Sequence, residues 1–550
     1  MTEPAGPAHA LTAEARERLR AIRQTLQSGN IAGAASQAEH ALADGLRHAF
    51  LFNTLAMQLE AQGRLIEAEE TLQRGLALAP DDAGCLHALG LLLLQLDRAE
   101  DARPLLERVV KMHADFAPAL VALGQTLEAL GELPAAEARY EAALARQPGN
   151  LLARAGLASI CGRRGEWTVA REHGLAVLAA EPNYPPATMV VAEAEIGEGD
   201  PVAAERRLRA VLAEPRASAV EKSLALNILG DALDRQRRAE EAYAAYRESN
   251  QMRRAHYAPS FAGHSTLDYA QALRDRLRAH GARDLAPVVR SGVTSSPASG
   301  HAFLIGFPRS GTTLLEQILA SHPRVKALEE RETLIDSVRA YMRAPDDLAR
   351  LGGASENDLA PLRDAYWKRV ADAGVSVNGH LFVDKHPLNG LKLPLIARLF
   401  PDARILFAQR DPRDVVWSCY RRRFRMSAPY FDLLTLERAA ALYDTVMEIT
   451  ERLIVDLELR VQRVKLEALI SEFDTQARGL CAFLDLPWND SMRDFSATAR
   501  TRGVATASGA QVTRGLNSAG IGEWRRYRAQ LAPVLPVLAP WVERFGYAPE

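Results

Sequence analysis

The chain has 550 residues, 48% of them hydrophobic and 25% charged, with a formal net charge of −2. Its length suggests roughly three or more domain equivalents of ordinary globular composition, and its near-neutral balance supplies no global basic field for nucleic acid or an anionic membrane. Four cysteines, Cys85, Cys161, Cys419 and Cys481, stand far apart with no C-x-x-C pair. This disfavours a disulfide framework or a zinc site and fits thiols in a reducing compartment. The N-terminus has no basic segment leading into an apolar one, and the longest apolar runs, such as Leu89 to Leu94, cannot span a bilayer. A cytoplasmic protein without a membrane span is expected.

From about residue 15 to 250 the sequence repeats itself. Pro80, Ala114, Pro148 and Pro182 follow one another in steps of 34, and Pro215 falls one residue early. Ala68, Ala102, Ala136, Ala170 and Ala204 keep the same step, as do Leu55-Ala56, Leu89-Gly90, Leu123-Gly124, Leu157-Ala158 and Val191-Ala192. Ala34 anchors a weaker unit before them, and Leu229-Gly230, Ala242 and Tyr246 a slipped unit after them. Small residues let two helices approach closely, and proline ends the second helix before the next begins. The pattern resembles the tetratricopeptide repeat, a helical hairpin that buries its apolar face only by stacking on its neighbours. About seven units are expected within residues 1–255, forming an α-solenoid. Its surface is either a scaffold or a groove for an extended peptide. Residues 256–300, with a helix-like piece Leu267 to His280 and a Ser/Gly/Pro-rich end, read as a linker.

Residues 301–550 alternate strand-like and helical segments. Ala302–Ile305, Leu381–Val383, Ile405–Ala408 and Val461–Val464 read as strands, and Gly390–Leu399 and Leu436–Leu457 as helices. The alternation predicts a three-layer α/β domain with a parallel sheet, whose ligands bind beyond the carboxyl ends of its strands. The first strand runs into Gly306-Phe307-Pro308-Arg309-Ser310-Gly311-Thr312-Thr313 and then a helix, an arrangement that converges backbone N–H groups on an anion. The spacing is that of a Walker A loop, but Thr312 stands where a nucleoside triphosphatase needs lysine. Arg309 supplies positive charge instead, and Ser310, Thr312 and Thr313 offer hydroxyls. A second anion site is expected after the strand Arg404–Gln409. There Arg410 can fork onto a phosphate, Ser418 follows two helical turns on, and Arg422 lies one turn further. The alternative for this stretch is a helix capped by Asp411 with Tyr420-Arg421-Arg422-Arg423-Phe424-Arg425 as a solvated basic face.

Two phosphate sites without a Walker lysine suggest a nucleotide phosphorylated at two separate positions, as in 3′-phosphoadenosine 5′-phosphosulfate (PAPS). The loop and the Arg410/Ser418 pair resemble the 5′-phosphosulfate and 3′-phosphate sites of sulfotransferases. The pattern is most similar to the tyrosylprotein sulfotransferases and to bacterial sulfotransferases fused to tetratricopeptide repeats. The resemblance implies a P-loop-like sulfotransferase domain using PAPS, releasing adenosine 3′,5′-bisphosphate and needing no metal. It also implies that Arg309 binds the 5′-phosphosulfate, Glu330 is the catalytic base, and Lys385 and Ser508 stabilise the transferring sulfonyl group. The implied partner is an acceptor peptide or protein, reached through the repeats, with tyrosine the first acceptor to test.

Two positions depart from the resemblance. Glu332 stands where an arginine recognises acidic residues around the acceptor, and Glu523 where a lysine lies near the 3′-phosphate; Arg514, Arg525 or Arg526 are candidates to take over. By its residue types alone, Glu330 fits a solvated charged turn better than a catalytic base. Two other functions stay open: a sulfotransferase for a carbohydrate, lipid or small molecule, and a repeat scaffold with a non-catalytic nucleotide-binding module.

Overall fold

The computed structural model describes residues 12–96, 98–215, 217–285, 296–502, 512 and 515–549, with the side chains of 284 and 500–502 left aside. Contacts divide the chain into two compact units, residues 1–160 and 161–550. The first unit contains four helical hairpins, Ala13–Gln27 with Ile31–Ala43, Ala49–Ala61 with Leu65–Leu78, Ala83–Gln95 with Ala99–Met112, and Ala117–Ala129 with Leu133–Arg146. The recurring small residues Ala34, Ala68, Ala102 and Ala136 are all fully buried. A Cβ on Gly124 would come within 2.6 Å of the Tyr140 ring, so this hairpin closes only around a residue without a side chain. Pro80 and Pro148 each lie two residues beyond a helix end, at Leu78 and Arg146. The helix Leu151–Arg164 contains the division between units.

The second unit continues with Trp167–Ala180, Pro185–Glu198 with Pro201–Ala213, Ala219–Arg235 with Ala239–Tyr257, and the helix Thr266–His280. In chain order, the described residues 13–257 hold fourteen successive helices. Among the described residues no helix is long and apolar enough to cross a membrane.

A five-stranded parallel sheet follows: β1 (Gly300–Ile305), β2 (Val325–Glu329), β3 (Leu381–Lys385), β4 (Arg404–Gln409) and β5 (Val461–Lys465), in the order β2-β3-β1-β4-β5. Alternate residues feed two cores. Phe303, Ile305, Phe382, Ile405 and Phe407 pack on one face with the helices Leu393–Leu399 and Leu436–Asp456. Ala302, Leu304, Val383, Leu406 and Ala408 pack on the other with Thr312–Ala320 and Phe473–Phe483. Helical repeats followed by a three-layer parallel α/β domain are therefore present, as the sequence predicts. The helix expected over Gly390–Leu399 is split into a 3-10 segment, Pro387–Lys392, and the α-helix Leu393–Leu399. Gly390 packs so tightly that a Cβ there would collide with the Thr450 hydroxyl.

Strand order fixes where a ligand binds. From β1 the chain crosses to β2 on one side of the sheet, and from β4 it continues outward to β5 on the other. The connections diverge at the β1–β4 crevice, the switch point at which such folds hold ligands.

Candidate active site

The loop after β1 lies at this crevice. Gly306 is obligatory, because a Cβ there would meet Ser310 Oγ at 2.6 Å and the Ala408 carbonyl at 2.8 Å. Arg309 (φ 69°) and Gly311 (φ 101°) take left-handed backbone conformations. For a non-glycine residue that costs roughly 1–3 kcal/mol, the kind of strain that is retained at ligand sites. The turn is held by Ser310 N donating to the Phe307 carbonyl at 3.1 Å and Phe307 N donating to Ser310 Oγ at 3.3 Å. No side chain caps the following helix at Gly311, and Ser310, Thr312 and Thr313 are buried around its first turn.

The segment after β4 closes onto this loop. Arg410 Nη1 donates to the Arg309 carbonyl at 3.0 Å, and Arg410 Nη2 donates to the Gly520 carbonyl. Arg309 Nε donates to Ser418 Oγ at 3.0 Å, and Cys419 Sγ approaches the Pro308 carbonyl at 3.2 Å. Asp411 caps the helix Pro412–Arg421 and pairs with Arg413, whose guanidinium stacks 3.9 Å over Trp524. Asp414 accepts from Gly522 N at 2.6 Å and Trp524 N at 2.9 Å, fixing the opposite wall. Together these elements enclose a cleft of about 690 Å³, open solvent included. Arg309, Arg410, Ser418 and Arg421 line it beside Leu314, Leu466, Ile470 and Ile521. Burial, then the Arg422 and Arg410 guanidinium groups, push Arg309 down to about 9. A cation crowded by like charges attracts an anion, although Glu523, which also lines the cleft, offsets part of this charge.

The other half of the site lies across β1. β3 ends at Lys385, which pairs in register with Leu304 of β1 and Glu329 of β2. Lys385 is fully buried, with Nζ 2.7 Å from Glu330, 3.4 Å from Glu329 and 3.6 Å from Glu316. Burial pulls its ammonium down, but the three carboxylates outweigh this and hold it above the ordinary value. Glu330 N donates to the Lys385 carbonyl at 2.8 Å, and the left-handed backbone at Glu330 (φ 44°) turns its carboxylate back toward the lysine. Burial raises Glu330, but Lys385 and His386 prevail, so it stays ionised below the usual carboxylate range. Asp384 braces this turn by accepting from Thr333 at 2.7 Å and Tyr366 at 2.9 Å.

The structure gathers Pro308, Arg309, Ser310, Gly311, Thr312 and Thr313 at the centre, Arg410 and Ser418 on the β4 side, and Glu330 and Lys385 on the β2–β3 side. Arg422 lies outside the cleft lining, 4.0 Å from Asp231. The lining arginine is Arg421, which sequence reasoning passed over although it sits three residues after Ser418, on the same helical face. The basic run is a solvated face only in part: Arg423 and Arg425 are exposed, whereas Arg421 is buried and ion-paired with Glu523 and Asp234. Arg526 contacts Glu523 at 3.7 Å, and Arg525 packs over Trp524. Ser508 and Arg514 lie outside the described residues. Glu316 and Glu329, which share Lys385, gave no sequence signal beyond being carboxylates near strand and helix ends.

Residues 302–490 match the model of the sulfotransferase family, and residues 59–126 and 121–185 each match a tetratricopeptide repeat model. An uncharacterized protein of Aquifex aeolicus is 30% identical over 256 residues, which are 44% of this chain and 32% of that protein. Protein-tyrosine sulfotransferase 1 of Danio rerio is 25% identical over 258 residues, 45% of this chain and 72% of that one. The chain therefore spans about a third of the first relative and nearly three-quarters of the second. A tetratricopeptide repeat protein from Parabacteroides merdae aligns with a TM-score of 0.35 and 18% identity, covering 43% of this chain and 92% of that one. The chain thus matches tetratricopeptide repeat models in its N-terminal half and the sulfotransferase family model over residues 302–490.

Proposed function

We propose that this protein transfers a sulfonyl group from PAPS to an acceptor hydroxyl, with tyrosine of a peptide or protein as the acceptor. One observation carries the reading: β1 separates an arginine-lined anion cleft from a Glu330–Lys385 pair, and the Gly306–Gly311 loop joins the two. The residues fit the nucleotide. Among the described residues, Arg410 Nε and Arg421 Nε are buried without a hydrogen-bond partner, and three guanidinium groups crowd Arg309. A ligand with one anionic group at the loop and another at Arg410 and Ser418 answers both features. Thr312 in the lysine slot fits a nucleotide without a γ-phosphate. When bound, PAPS supplies a sulfonyl group already attached to a phosphate leaving group.

The chain's own residues do the rest. Ser310, Thr312 and Thr313 hold the 5′ end, while Leu314, Leu466, Ile470 and Ile521 exclude water around the nucleoside. Arg309 and Lys385 neutralise charge that grows on oxygen during transfer, and preorganised cations of this kind supply the largest share of such catalysis. Glu330 accepts the proton of the acceptor hydroxyl. Its pairing with Lys385 keeps it ionised and ready, at some cost in basicity. Glu332 contacts Lys392 at 2.7 Å and His386 at 3.1 Å, and this position offers no arginine to acidic residues around an acceptor. Acceptors flanked by neutral or basic residues are therefore favoured over acidic ones, and the repeats serve to present them.

The test is to offer labelled PAPS and the full-length protein a panel of tyrosine peptides with acidic, neutral or basic flanks. Label on the neutral or basic peptides is expected. Label on none of them, with transfer to a sugar or lipid hydroxyl instead, overturns the choice of acceptor.

A further inference from the structure

The helix Pro412–Arg421, which carries Ser418, runs out into Arg421-Arg422-Arg423. Each arginine meets a carboxylate from the repeat helices of the same compact unit. Arg421 lies 3.4 Å from Asp234, Arg422 lies 4.0 Å from Asp231, and Arg423 pairs with Glu193. The last carbonyls of a helix have no partner within it. Here the repeats supply them. Asn250 Nδ2 donates to the Tyr420 carbonyl at 2.8 Å, Asn227 Nδ2 to the Arg421 carbonyl at 3.0 Å, and Arg253 Nη2 to the Phe424 carbonyl at 3.0 Å. Asn227 and Asn250 are 2% and 1% exposed. Burying an amide is costly unless its hydrogen bonds are made, and both of these donate to the helix of the cleft. Asp234 also accepts from the Tyr527 hydroxyl at 2.6 Å and lies 3.0 Å from Arg526. It thus ties Arg421 to the segment around Glu523 and Trp524 that walls the cleft. Tyr527 in turn stacks on Trp417 of the Ser418 helix at 3.9 Å.

A helical hairpin whose only task was to stack on its neighbours would bury apolar side chains here. This one buries two asparagines and an aspartate, all directed at one helix terminus. We propose that Asp234, supported by Asn227 and Asn250, is a positioning residue for the 3′-phosphate end of the nucleotide cleft. The last repeat hairpin, Ala219–Tyr257, is then part of the donor site and does more than carry acceptors. The proposal rests on the nucleotide reading of the cleft.

The test compares adenosine 3′,5′-bisphosphate with adenosine 5′-phosphate, which lacks the 3′ group, by calorimetry on the full chain and on Asp234→Asn. Wild type should prefer the bisphosphate. In Asp234→Asn, bisphosphate affinity should fall about tenfold, the scale of one charged hydrogen bond, with 5′-phosphate affinity nearly unchanged. A general folding defect would weaken both nucleotides alike, and that result, or a preserved preference, overturns the proposal. Wild type without any preference for the bisphosphate overturns the nucleotide reading beneath it. Hydrogen exchange on the wild-type protein gives a second measurement that needs no variant. The bisphosphate should slow amide exchange in residues 219–257; slowing confined to residues 300–549 contradicts the proposal.

Discussion

At the residue scale the site is governed by the ion pair of the half-buried Glu330 with the buried Lys385. Glu330→Gln keeps the shape and removes the proton acceptor. Transfer should fall about a hundred- to ten-thousand-fold while bisphosphate affinity stays within about twofold. A rate assay beside a binding titration checks this, and retained transfer removes Glu330 from the mechanism. Lys385→Met leaves Glu330, Glu329 and Glu316 together without their shared cation. Breaking a buried pair from one side costs about 3–5 kcal/mol, which denaturant unfolding will register. Glu332 adds a pH dependence. Burial raises it, but His386 and Lys392 hold it well below its ordinary value of 4.5. The folded chain therefore binds this proton more weakly than the unfolded chain. The resulting stability is complete above the ordinary value and is lost as pH falls below it. Glu332→Gln should flatten the decline of Tm on the acid side; an unaltered decline contradicts the pairing.

At the scale of elements, the loop after β1 depends on close backbone approach. Gly306→Ala would drive a methyl group into Ser310 Oγ and the Ala408 carbonyl. A loss of about 1–3 kcal/mol in stability, with weakened nucleotide binding, is expected from melting curves recorded with and without bisphosphate. Much of this half was legible beforehand. β1, β3 and β4 are apolar runs buried on both faces, and the loop between Gly306 and Gly311 announces itself by spacing. β2 was not legible. Val325–Glu329 is five residues long and contains an exposed lysine, so it shows neither an apolar run nor clean alternation. Its absence from the sequence reading hid why Glu330 and Lys385 meet, since pairing of β2 with β3 aligns Glu329 with Lys385. Arg421 was hidden for another reason. A run of three arginines reads as solvated when its counter-charges come from residues 193 to 234, more than a hundred and eighty positions earlier.

At the scale of the molecule, the 34-residue step revealed the hairpins, but periodicity alone could not say which of them touch the chemistry. Asn227, Asp234 and Asn250 look like unremarkable helix residues until the helix that bears Ser418 is seen against them. The central claim is that the cleft recognises a nucleotide with two separate phosphate groups and no γ-phosphate. Calorimetric titration of the full-length protein with adenosine 3′,5′-bisphosphate and, separately, with ATP tests it most directly. Tighter binding of the bisphosphate is predicted; tighter binding of ATP would contradict the account.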